Sequence, residues 1–381
     1  MTKPECLILG GGLAGGMAGL LLASSGRKTT LIEKETSPHH KVCGEFLSPE
    51  AVGYLRQAGI DPLQLGAQQI NVLRLSVANR VVETRLPFTA LSLSRHILDE
   101  ALLARAAEEG CTVRRGVSVE TLVRDGGTWT AQLATGESVA APHVFLATGK
   151  HDLRGWPRPH GLQSDLVGFK LHWRLAAAQT TALHDAMELY LFPGGYGGLS
   201  LVEGEIANLC LVIRKSVFRK LGGWPALLAA LREQNLRIRE LLQRAQPLWD
   251  RPLAISSIPY GHLGSSAPTL WPLGDQIAVI PSFTGDGMSI ALHSAALATA
   301  MYCAGSDPAD YQRTLVGQLN RGMRLATALS QACVRPLPRI VAPLVLSVFP
   351  QALSWIAAAT RIPATAIASC VSIPELQTPM G

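Results

Sequence analysis

Near the N-terminus, three glycines with the spacing Gly10-x-Gly12-x-x-Gly15 separate an apolar run, residues 6–9, from a segment with the composition of a helix. Glycine lets a backbone turn tightly and approach a pyrophosphate, whose charge then lies at the helix N-terminus. Glu33 ends a second apolar run about 20 residues beyond the turn, where an acid accepts hydrogen bonds from a ribose hydroxyl. This pattern predicts a strand, a turn, a helix and a strand that bind a dinucleotide.

The stretch PHHKVCGEFLSP, residues 38–49, contains a histidine pair and the pair Cys43-Gly44. Its residues leave a metal loop, a nucleophile and the wall of a cofactor pocket open. The histidines lack a third ligand at metal spacing, so we expect no metal site. Lys41 and His40 would favour the thiolate of Cys43, which could act as acid or nucleophile. Alternatively, Cys43 only shapes a pocket or is unrelated to one.

A second glycine-containing segment, LGDQIAVIPSFTGDGMSIALHSA, covers residues 273–295. Asp275 follows a strand there, and Gly285 and Gly287 precede a helix. A helix N-terminus with open N–H groups suits a ring that becomes anionic, as reduced flavin does. Asp275 is predicted to hold a ribityl or ribose hydroxyl, or alternatively to cap a turn.

Composition and periodicity predict an α/β protein with two domains and a tail. The chain has 381 residues, of which 48% are hydrophobic, and it can bury a large core. Residues 70–90 alternate like a β-ribbon, residues 94–109 have helical spacing, and a helix is also predicted for residues 224–245. We predict a Rossmann-like dinucleotide domain of residues 1–70, 91–164 and 263–330, an inserted β-sheet substrate domain of residues 71–90 and 165–262, and an apolar helical tail of residues 331–381.

Charge and cysteine content exclude several classes of protein. The net charge is +6, but positive and negative residues are mixed and there is no basic tail, so we expect no nucleic-acid binding. The seven cysteines are scattered without a CxxC pair, which argues against a disulfide framework or a zinc site and suits a reducing compartment. No signal peptide is convincing, so we expect a cytoplasmic protein.

Four segments together resemble a known family: LGGGLAGG with LIEK, KVCGEFLSPEAV, SRHILDEALLARAAEEG, and residues 273–295. The chain resembles the FAD-dependent monooxygenase superfamily of the p-hydroxybenzoate hydroxylase fold and, within it, the geranylgeranyl reductase-like flavoproteins. The resemblance implies FAD as the cofactor, with Arg95 near its diphosphate or ribityl chain. The residues expected to contact FAD are Gly10, Gly12, Ala14, Gly15, Glu33, Lys34, Gly44, Arg95, Val119, Gly149, Asp275, Gly285, Gly287 and Met288.

The resemblance also carries expectations about electrons and substrate. NAD(P)H is the implied electron donor, although Thr148 replaces the acid of an Asp-Gly pair that many aromatic hydroxylases use for both cofactors. The Cys43-Gly44 pair would line the isoalloxazine ring, and the sheet of residues 165–262 would roof it. Aromatic residues on strands are often core residues; as candidates for substrate contact we name His172, Tyr190, Phe192 and Tyr196.

Residues 340–360 carry no charge but contain Pro343 and Pro350, which disfavour one long helix. Two short apolar helices that pack over the active site or touch a membrane surface fit this segment better than a membrane span, which its length would permit.

Several functions remain open at this stage. The leading prediction is an NAD(P)H-dependent monooxygenase that acts on a lipophilic aromatic, polyketide or isoprenoid compound. The alternative is a FAD-dependent reductase or dehydrogenase of carbon–carbon bonds in a lipid, which the Cys43-Gly44 pair favours. A flavin-dependent halogenase is weakened by the absence of the Trp-x-Trp-x-Ile-Pro signature. A non-catalytic flavin-binding partner also remains, and the arginines of residues 232–244 could receive an acidic carrier protein; a separate flavin reductase is another possible partner.

Overall fold

The structure is a computed structural model that describes residues 3–265, 267–336, 346–349 and 351–368. Its strands are β1 (Cys6–Leu9), β2 (Thr29–Glu33), β3 (Phe46–Leu47), β4 (Gln68–Val77), β5 (Arg80–Ser92), β6 (Thr112–Arg115), β7 (Val119–Asp125), β8 (Thr128–Leu133), β9 (Ser138–Ala141), β10 (His143–Leu146), β11 (Leu166–Arg174), β12 (Ala186–Phe192), β13 (Gly195–Val202), β14 (Ile206–Arg214), β15 (Gln246–Pro247), β16 (Leu253–Ser256), β17 (His262–Leu263), β18 (Trp271–Pro272) and β19 (Ala278–Val279).

The helices alternate with these strands in the first half of the chain and cluster towards its end. They are α1 (Leu13–Ser24), α2 (Pro49–Gln57), α3 (Arg95–Glu108), α4 (Ala177–Leu183), α5 (Lys215–Leu221), α6 (Trp224–Gln234), α7 (Leu236–Leu241), α8 (Gly287–Cys303), α9 (Pro308–Cys333), α10 (Gln351–Ala359) and α11 (Ala364–Ala368).

A parallel sheet with the order β18-β10-β1-β2-β6 forms the centre of the Rossmann-like domain. All four residues of β1 are buried, as expected of a continuous apolar run in a parallel sheet covered on both faces. Helix α1 packs against α3 and α8, and most of its residues are buried. The predicted α/β fold class is therefore confirmed.

A second, mixed sheet has the order β15-β11-β14-β13-β12-β4-β5-β3, with β16 also paired to β11. Strands β4 and β5 form the antiparallel ribbon predicted for residues 70–90, and β4 joins the sheet by parallel pairing with β12. The ribbon thus crosses from the first domain into the sheet built mainly by residues 166–214. One face of the sheet packs against α6 and α7.

The helix predicted for residues 224–245 is two helices. Asn235 separates them: its backbone is extended, and its side-chain oxygen accepts hydrogen bonds from the N–H of Ile238 at 3.1 Å and the hydroxyl of Ser76 at 3.1 Å. An asparagine N-cap satisfies backbone donors that a continuous helix would have satisfied internally. The predicted apolar tail falls partly on α10 and α11, whereas residues 337–345, 350 and 369–381 lie outside the described residues.

Candidate functional site: two cavities that meet at a glycine turn

The turn between β1 and α1 has the geometry that the glycine spacing predicts. Gly10 has a φ of +106°, and a Cβ at this position would overlap the carbonyl oxygen of Ala147 on the neighbouring strand connection. A Cβ on Gly15 would overlap the carbonyl oxygen of Gly10. Gly12 is the N-cap of α1 and supplies no side-chain cap, so the first N–H groups of the helix remain open to a phosphate.

Glu33 lies at the C-terminal end of β2, beside this turn. One carboxylate oxygen accepts a hydrogen bond of 2.5 Å from the N–H of Gly11, and the other accepts one of 3.0 Å from the N–H of Glu35. Glu33 is 6% exposed, and its orientation is therefore set by the backbone. A carboxylate held in this way keeps lone pairs for the hydroxyls of a ribose.

Two cationic side chains approach the turn from outside. The guanidinium of Arg95 lies 3.1 Å, and the ammonium of Lys41 3.5 Å, from the position that a Cβ on Gly12 would occupy. Both are bound by Asp99, which accepts hydrogen bonds of 2.7 and 3.0 Å from Arg95 and one of 2.9 Å from Lys41. Burial disfavours the charged form of Asp99, yet the two cations lower its pKa. Open amides and two cations at one turn suit a diphosphate.

Two cavities meet at this turn. The charged cavity lies on the side of Gly10, Glu33 and Lys34, and the apolar cavity lies beneath the mixed sheet. The predicted FAD contacts that line the apolar cavity are Gly12, Ala14, Gly44, Arg95, Gly149, Asp275, Gly285, Gly287 and Met288; those that line the charged cavity are Gly10, Gly12, Glu33, Lys34, Arg95, Val119, Gly149 and Asp275. Gly15 lies behind the turn. The chain thus brings together residues that its sequence separates by more than half its length.

Asp275 occupies the border between the two cavities. It accepts a hydrogen bond of 2.9 Å from Lys150, and its backbone carbonyl accepts one of 2.6 Å from Arg158. Burial opposes charge on both members of the Asp275–Lys150 pair, but their attraction raises the pKa of Lys150 and lowers that of Asp275. Lys150 lines both cavities. Lys150 belongs to the segment ATGKHDLRG, residues 147–155, in which the family resemblance pointed to Thr148 and predicted no role for the lysine.

Helix α8 points its N-terminus at the apolar cavity. Its N-cap, Asp286, is 1% exposed and accepts a hydrogen bond of 3.0 Å from Arg361, which follows α10. Arg361 lines the cavity, lies 3.6 Å from Glu50 and stacks on the ring of Phe88. Burial raises the pKa of Asp286 to about 6, although Arg361 acts in the opposite direction. Arg361 directly follows the uncharged residues 340–360 of the predicted tail. Its contacts with Asp286 and Glu50 thus join this part of the tail to the N-terminus of α8 and to α2.

Cys43 and Gly44 line the apolar cavity as one loop. The Cys43 sulfur accepts a hydrogen bond of 3.3 Å from the N–H of Glu45, and its carbonyl accepts one of 3.1 Å from the side chain of Asn208. A Cβ on Gly44 would meet no protein atom within 4 Å, so this residue faces open space in the cavity. The loop therefore presents a sulfur and a bare backbone to whatever the cavity holds.

The two cations expected to favour the Cys43 thiolate are engaged elsewhere. Lys41 forms its ion pair with Asp99. Burial, together with the charge of Lys170, lowers the pKa of His40 to about 4, so its ring is neutral at neutral pH. Lys41 and His40 thus have contacts of their own, and a chemical role of Cys43 stays a prediction.

His40 nevertheless belongs to a cluster that the sequence did not reveal. One ligand atom each of His40, Glu45 and His172 lies within 4.8 Å of the others, so His40, one member of the histidine pair, lies close to an acid and a histidine from elsewhere in the chain. The Glu45 carboxylate already binds protein cations, since Lys170 donates to one oxygen and the ring of His172 lies 3.0 Å from the other. Those contacts account for the buried charge without a metal ion.

The four aromatic candidates for substrate contact have different positions. Tyr196 lines the apolar cavity, its hydroxyl lies 3.2 Å from that of Ser330, and burial raises its pKa well above the ordinary value. Tyr190 and Phe192 pack in the core between the sheet and α6 and α7, because residues two apart on a strand share a face. His172 is bound to Glu45. These three are not among the described residues that line either cavity.

The apolar cavity is lined mostly by hydrophobic side chains. Part of its wall comes from α1, α8 and the segments before α8, and the rest comes from the ribbon, the mixed sheet and α10, whose apolar side chains include Phe46, Leu73, Leu86, Met187, Leu189, Val212, Leu353 and Ile356. Helix α10 also contacts β5 through Ser354, which donates a hydrogen bond of 2.8 Å to the carbonyl of Arg85. In the described ranges, no helix has the length and apolar character needed to cross a membrane.

The arginines considered for a carrier protein are partly engaged within the chain. Arg237 donates hydrogen bonds of 2.8 and 3.0 Å to Glu188, whose side chain is fully buried, and Arg232 lies over the ring of Trp173. Arg239 and Arg244 are exposed.

The site fits FAD in three independent respects. The turn and the cations suit the diphosphate, Glu33 suits a ribose, and Gly44 lines, together with the start of α8, an apolar cavity that suits a planar ring. The fully buried Glu45 also lines this cavity, and its position in the sequence predicted no role for it.

Comparison with known proteins gives the same assignment. Residues 3–144 match the family described as FAD binding domain. A menaquinone reductase of Mycolicibacterium smegmatis is 24% identical over 374 residues, which cover 89% of this chain and 86% of the relative. A tryptophan 2-halogenase of Chondromyces crocatus is 24% identical over 332 residues, 78% of this chain and 61% of the relative.

Solved structures share the fold across almost the whole chain. The flavin-dependent brominase Bmp2 has a TM-score of 0.77 at 17% identity, and the match covers 97% of each chain. The halogenase PltM in complex with phloroglucinol and FAD has a TM-score of 0.72 at 13% identity, over 96% of this chain and 90% of that one. Residues 3–144 thus match the FAD binding domain family, and the chain is an FAD-dependent oxidoreductase.

Proposed function

We propose that this protein reduces a carbon–carbon double bond in the prenyl chain of a lipid. The observation that carries the proposal is the apolar cavity, in which the Cys43-Gly44 loop and the N-terminus of α8 share one space with apolar side chains of the sheet and α10. Apolar walls bind hydrocarbon by removing its surface from water, about 25 cal/mol for each Å². The full-length relatives called menaquinone reductases support this substrate class, because menaquinone carries a prenyl chain.

Bound FAD would supply the hydride equivalent for the double bond. Arg95, Lys41 and the turn amides would hold its diphosphate, and Glu33 its ribose. The open amides of α8 and the loop at Gly44 would border its ring. Tyr196 and the apolar walls would exclude water from the prenyl chain and set its position beside the ring.

Monooxygenation, the leading prediction from sequence, is the second candidate. The likeness to a protein named tryptophan 2-halogenase supports an oxidative flavin reaction in general. The two candidates differ in the mass of the product and in the need for oxygen, and the electron donor need not be known to separate them.

The test is mass spectrometry of menaquinone incubated with FAD-loaded protein and dithionite without oxygen, and in parallel with NADPH in air. Dithionite also reduces the quinone ring itself, so the ring is reoxidised in air before the mass is read. We then expect a product that is still heavier by two hydrogens, with the added mass in the prenyl chain, and that forms without oxygen but only when the protein is present. A product heavier by one oxygen atom that forms only in air would establish the monooxygenase instead, and the absence of any product in both arms would refute the assignment to prenyl lipids.

Two variants sharpen the result. Leu86→Trp should fill the apolar cavity and suppress product while FAD stays bound. Val123→Trp, on an exposed site of β7, should leave both product formation and FAD binding unchanged. Cys43→Ala tests the loop sulfur separately. Unchanged turnover in this variant would show that Cys43 only shapes the cavity.

We also infer that a lipid surface is the source of such a substrate. Val348, Phe349 and Trp355 are 68%, 61% and 72% exposed, while Leu353 and Ile356 of the same segment line the cavity. Arg85 is exposed beside Ser354, and Arg321 and Arg324 are exposed on α9, which contacts Thr360 through Gly322; exposed arginines suit anionic headgroups.

Binding to vesicles of phosphatidylcholine and phosphatidylglycerol, measured by co-sedimentation, should weaken in Trp355→Ser and in high salt. The matched control Val123→Ser removes an exposed apolar side chain from β7 and should leave binding unchanged. Equal binding of all three proteins would exclude α10 as the contact.

A further inference from the structure

Glu45 is a fully buried carboxylate at the centre of three separate elements. Its first oxygen accepts a hydrogen bond of 2.9 Å from the backbone N–H of Arg95, at the start of α3, and another from Lys170 on β11. Its second oxygen lies 3.0 Å from the ring of His172. Burial disfavours the charge, but His172 and Lys170 hold the pKa of Glu45 below its ordinary value. The carboxylate thus joins the Rossmann-like domain to the mixed sheet.

The backbone of Glu45 is held as firmly as its side chain. Its φ is +58°, a left-handed conformation that a residue with a Cβ adopts only when its surroundings impose it. The carbonyl accepts hydrogen bonds of 3.1 Å from the hydroxyl of Ser92 and 3.2 Å from the N–H of Leu93. The N–H donates to the sulfur of Cys43 at 3.3 Å. Any shift of Glu45 therefore moves the sulfur in the apolar cavity.

The backbone and the side chain of Arg95 contact different sites. Its N–H donates a hydrogen bond to Glu45, whereas its guanidinium lies at Gly12, where the open amides of α1 and the ammonium of Lys41 form the expected diphosphate site. One residue thus contacts the diphosphate position with its side chain and the Cys43 loop, through Glu45, with its backbone. The diphosphate position and the Cys43 loop are thus linked by two hydrogen bonds: one from the N–H of Arg95 to the Glu45 carboxylate, and one from the N–H of Glu45 to the Cys43 sulfur.

We propose that Glu45 is a positioning residue that couples occupation of the diphosphate site to the position of Cys43. Binding of a diphosphate fixes Arg95 in its position at Gly12, and the N–H of Arg95 carries this restraint to the Glu45 carboxylate and, through the N–H of Glu45, to the Cys43 sulfur. Such coupling is reciprocal, so the state of the loop also affects diphosphate affinity. The proposal rests on FAD binding and not on the reaction proposed above.

ADP tests this coupling, because it has the adenosine and diphosphate of FAD but no flavin to cover Cys43. In apoprotein freed of FAD, the rate of alkylation by iodoacetamide is followed for each cysteine by peptide mass spectrometry. Cys303, which is exposed, is the internal reference. We expect saturating ADP to slow alkylation of Cys43 about fivefold, the lower end of usual couplings between sites, and to leave Cys303 unchanged.

The Glu45→Met/Lys170→Met variant removes both buried charges together, so it avoids leaving one of them unpaired, and it also removes the oxygen that accepts the hydrogen bond from the N–H of Arg95. It should bind ADP, measured by calorimetry, and show the same Cys43 rate with and without ADP. Glu203→Gln is the matched control: Glu203 also accepts a hydrogen bond from the start of α3, 2.9 Å from the N–H of Ser94. This control should keep the fivefold effect.

Three results would overturn the proposal. The first is an equal effect of ADP in the double variant and the wild type, which would show that another path carries the coupling. The second is an unchanged Cys43 rate in wild type on ADP binding. The third is loss of ADP binding, in the wild type or in the double variant, because the diphosphate would then not lie at Arg95 or would need Glu45 directly. Because no substrate is used, none of these results depends on whether the protein is a reductase.

Discussion

The charged cavity and the apolar cavity share Gly12, Arg95, Lys150 and Asp275, yet their walls originate in different ways. Around the charged cavity, most contacts come from short segments at the ends of parallel strands: the turn after β1, the acid that ends β2 and the loop after β10. The apolar cavity is assembled from β4, β5, β12, β13, α8 and α10, which are far apart in the chain. The charged cavity thus depends on local motifs of the chain, whereas the apolar cavity depends on how distant strands and helices pack together.

The two cavities also differ in how they hold charge. Lys41 and Arg95, beside the charged cavity, keep 28% and 15% of their side-chain surface exposed. Glu45 and Lys170, beside the apolar cavity, have none. A fully buried charge must be compensated by partners in fixed positions, whereas a partly exposed charge is also stabilised by water. The apolar cavity therefore depends more strongly on the intact pairing of its charges.

The largest expected effect comes from breaking the buried pair alone. Lys170→Met leaves the Glu45 carboxylate buried without its cation, and we expect the free energy of unfolding to fall by about 3–5 kcal/mol in denaturant titrations. Asp165→Asn breaks the exposed pair with Arg214 and should cost at most about 1 kcal/mol. Glu45→Met/Lys170→Met should recover much of the loss. Similar losses for Lys170→Met and Asp165→Asn would contradict the distinction between a buried and an exposed ion pair.

A smaller effect is expected at the glycine turn. Gly15→Ala forces a methyl group against the carbonyl of Gly10, and overpacking of about 1–3 kcal/mol should weaken FAD binding about 10- to 100-fold. Gly53→Ala is the control, because a Cβ there meets no atom within 4 Å. FAD retention after dialysis, read from visible absorbance, compares the two. Equal retention would show that the turn does not form the diphosphate site.

The smallest effect is a pH dependence at the α8 end of the apolar cavity. Burial raises the pKa of Asp286 to about 6, so the folded protein takes up a proton there more readily than the unfolded chain, in which the pKa is about 3.9. This contribution to stability is full below the unfolded pKa and is lost as the pH rises through 6. Between pH 7 and pH 4 the wild type should therefore gain about 1–3 kcal/mol relative to Asp286→Asn.

Thermal unfolding of both proteins across this range gives the comparison, since other groups titrate equally in the two. A difference that stays constant with pH would mean that Asp286 remains ionised in the folded protein. In that case Arg361 would outweigh burial, and the apolar cavity would hold a permanent ion pair at this point.

The amino-acid sequence by itself determined the dinucleotide turn, its acid and the parallel order of the first domain. Those features depend on residues close in sequence: glycines where a side chain would collide, Glu33 at a strand end and continuous apolar runs. It also predicted the ribbon of residues 70–90 from its alternation. The resemblance to geranylgeranyl reductase-like proteins and the monooxygenase reaction stay predictions, because they concern substrate contacts.

Only the tertiary structure decided which side chains meet at the apolar cavity. Period-two alternation shows that Tyr190 and Phe192 share a face, but the helices that cover that face come from residues 224–241, and Tyr196 lies on the other side. Likewise, Glu45 meets partners 125 and 127 residues away. The local pattern fixes the direction of a side chain relative to its own strand, whereas its partner depends on how two sheets and a terminal helix pack, and that is a property of the whole chain.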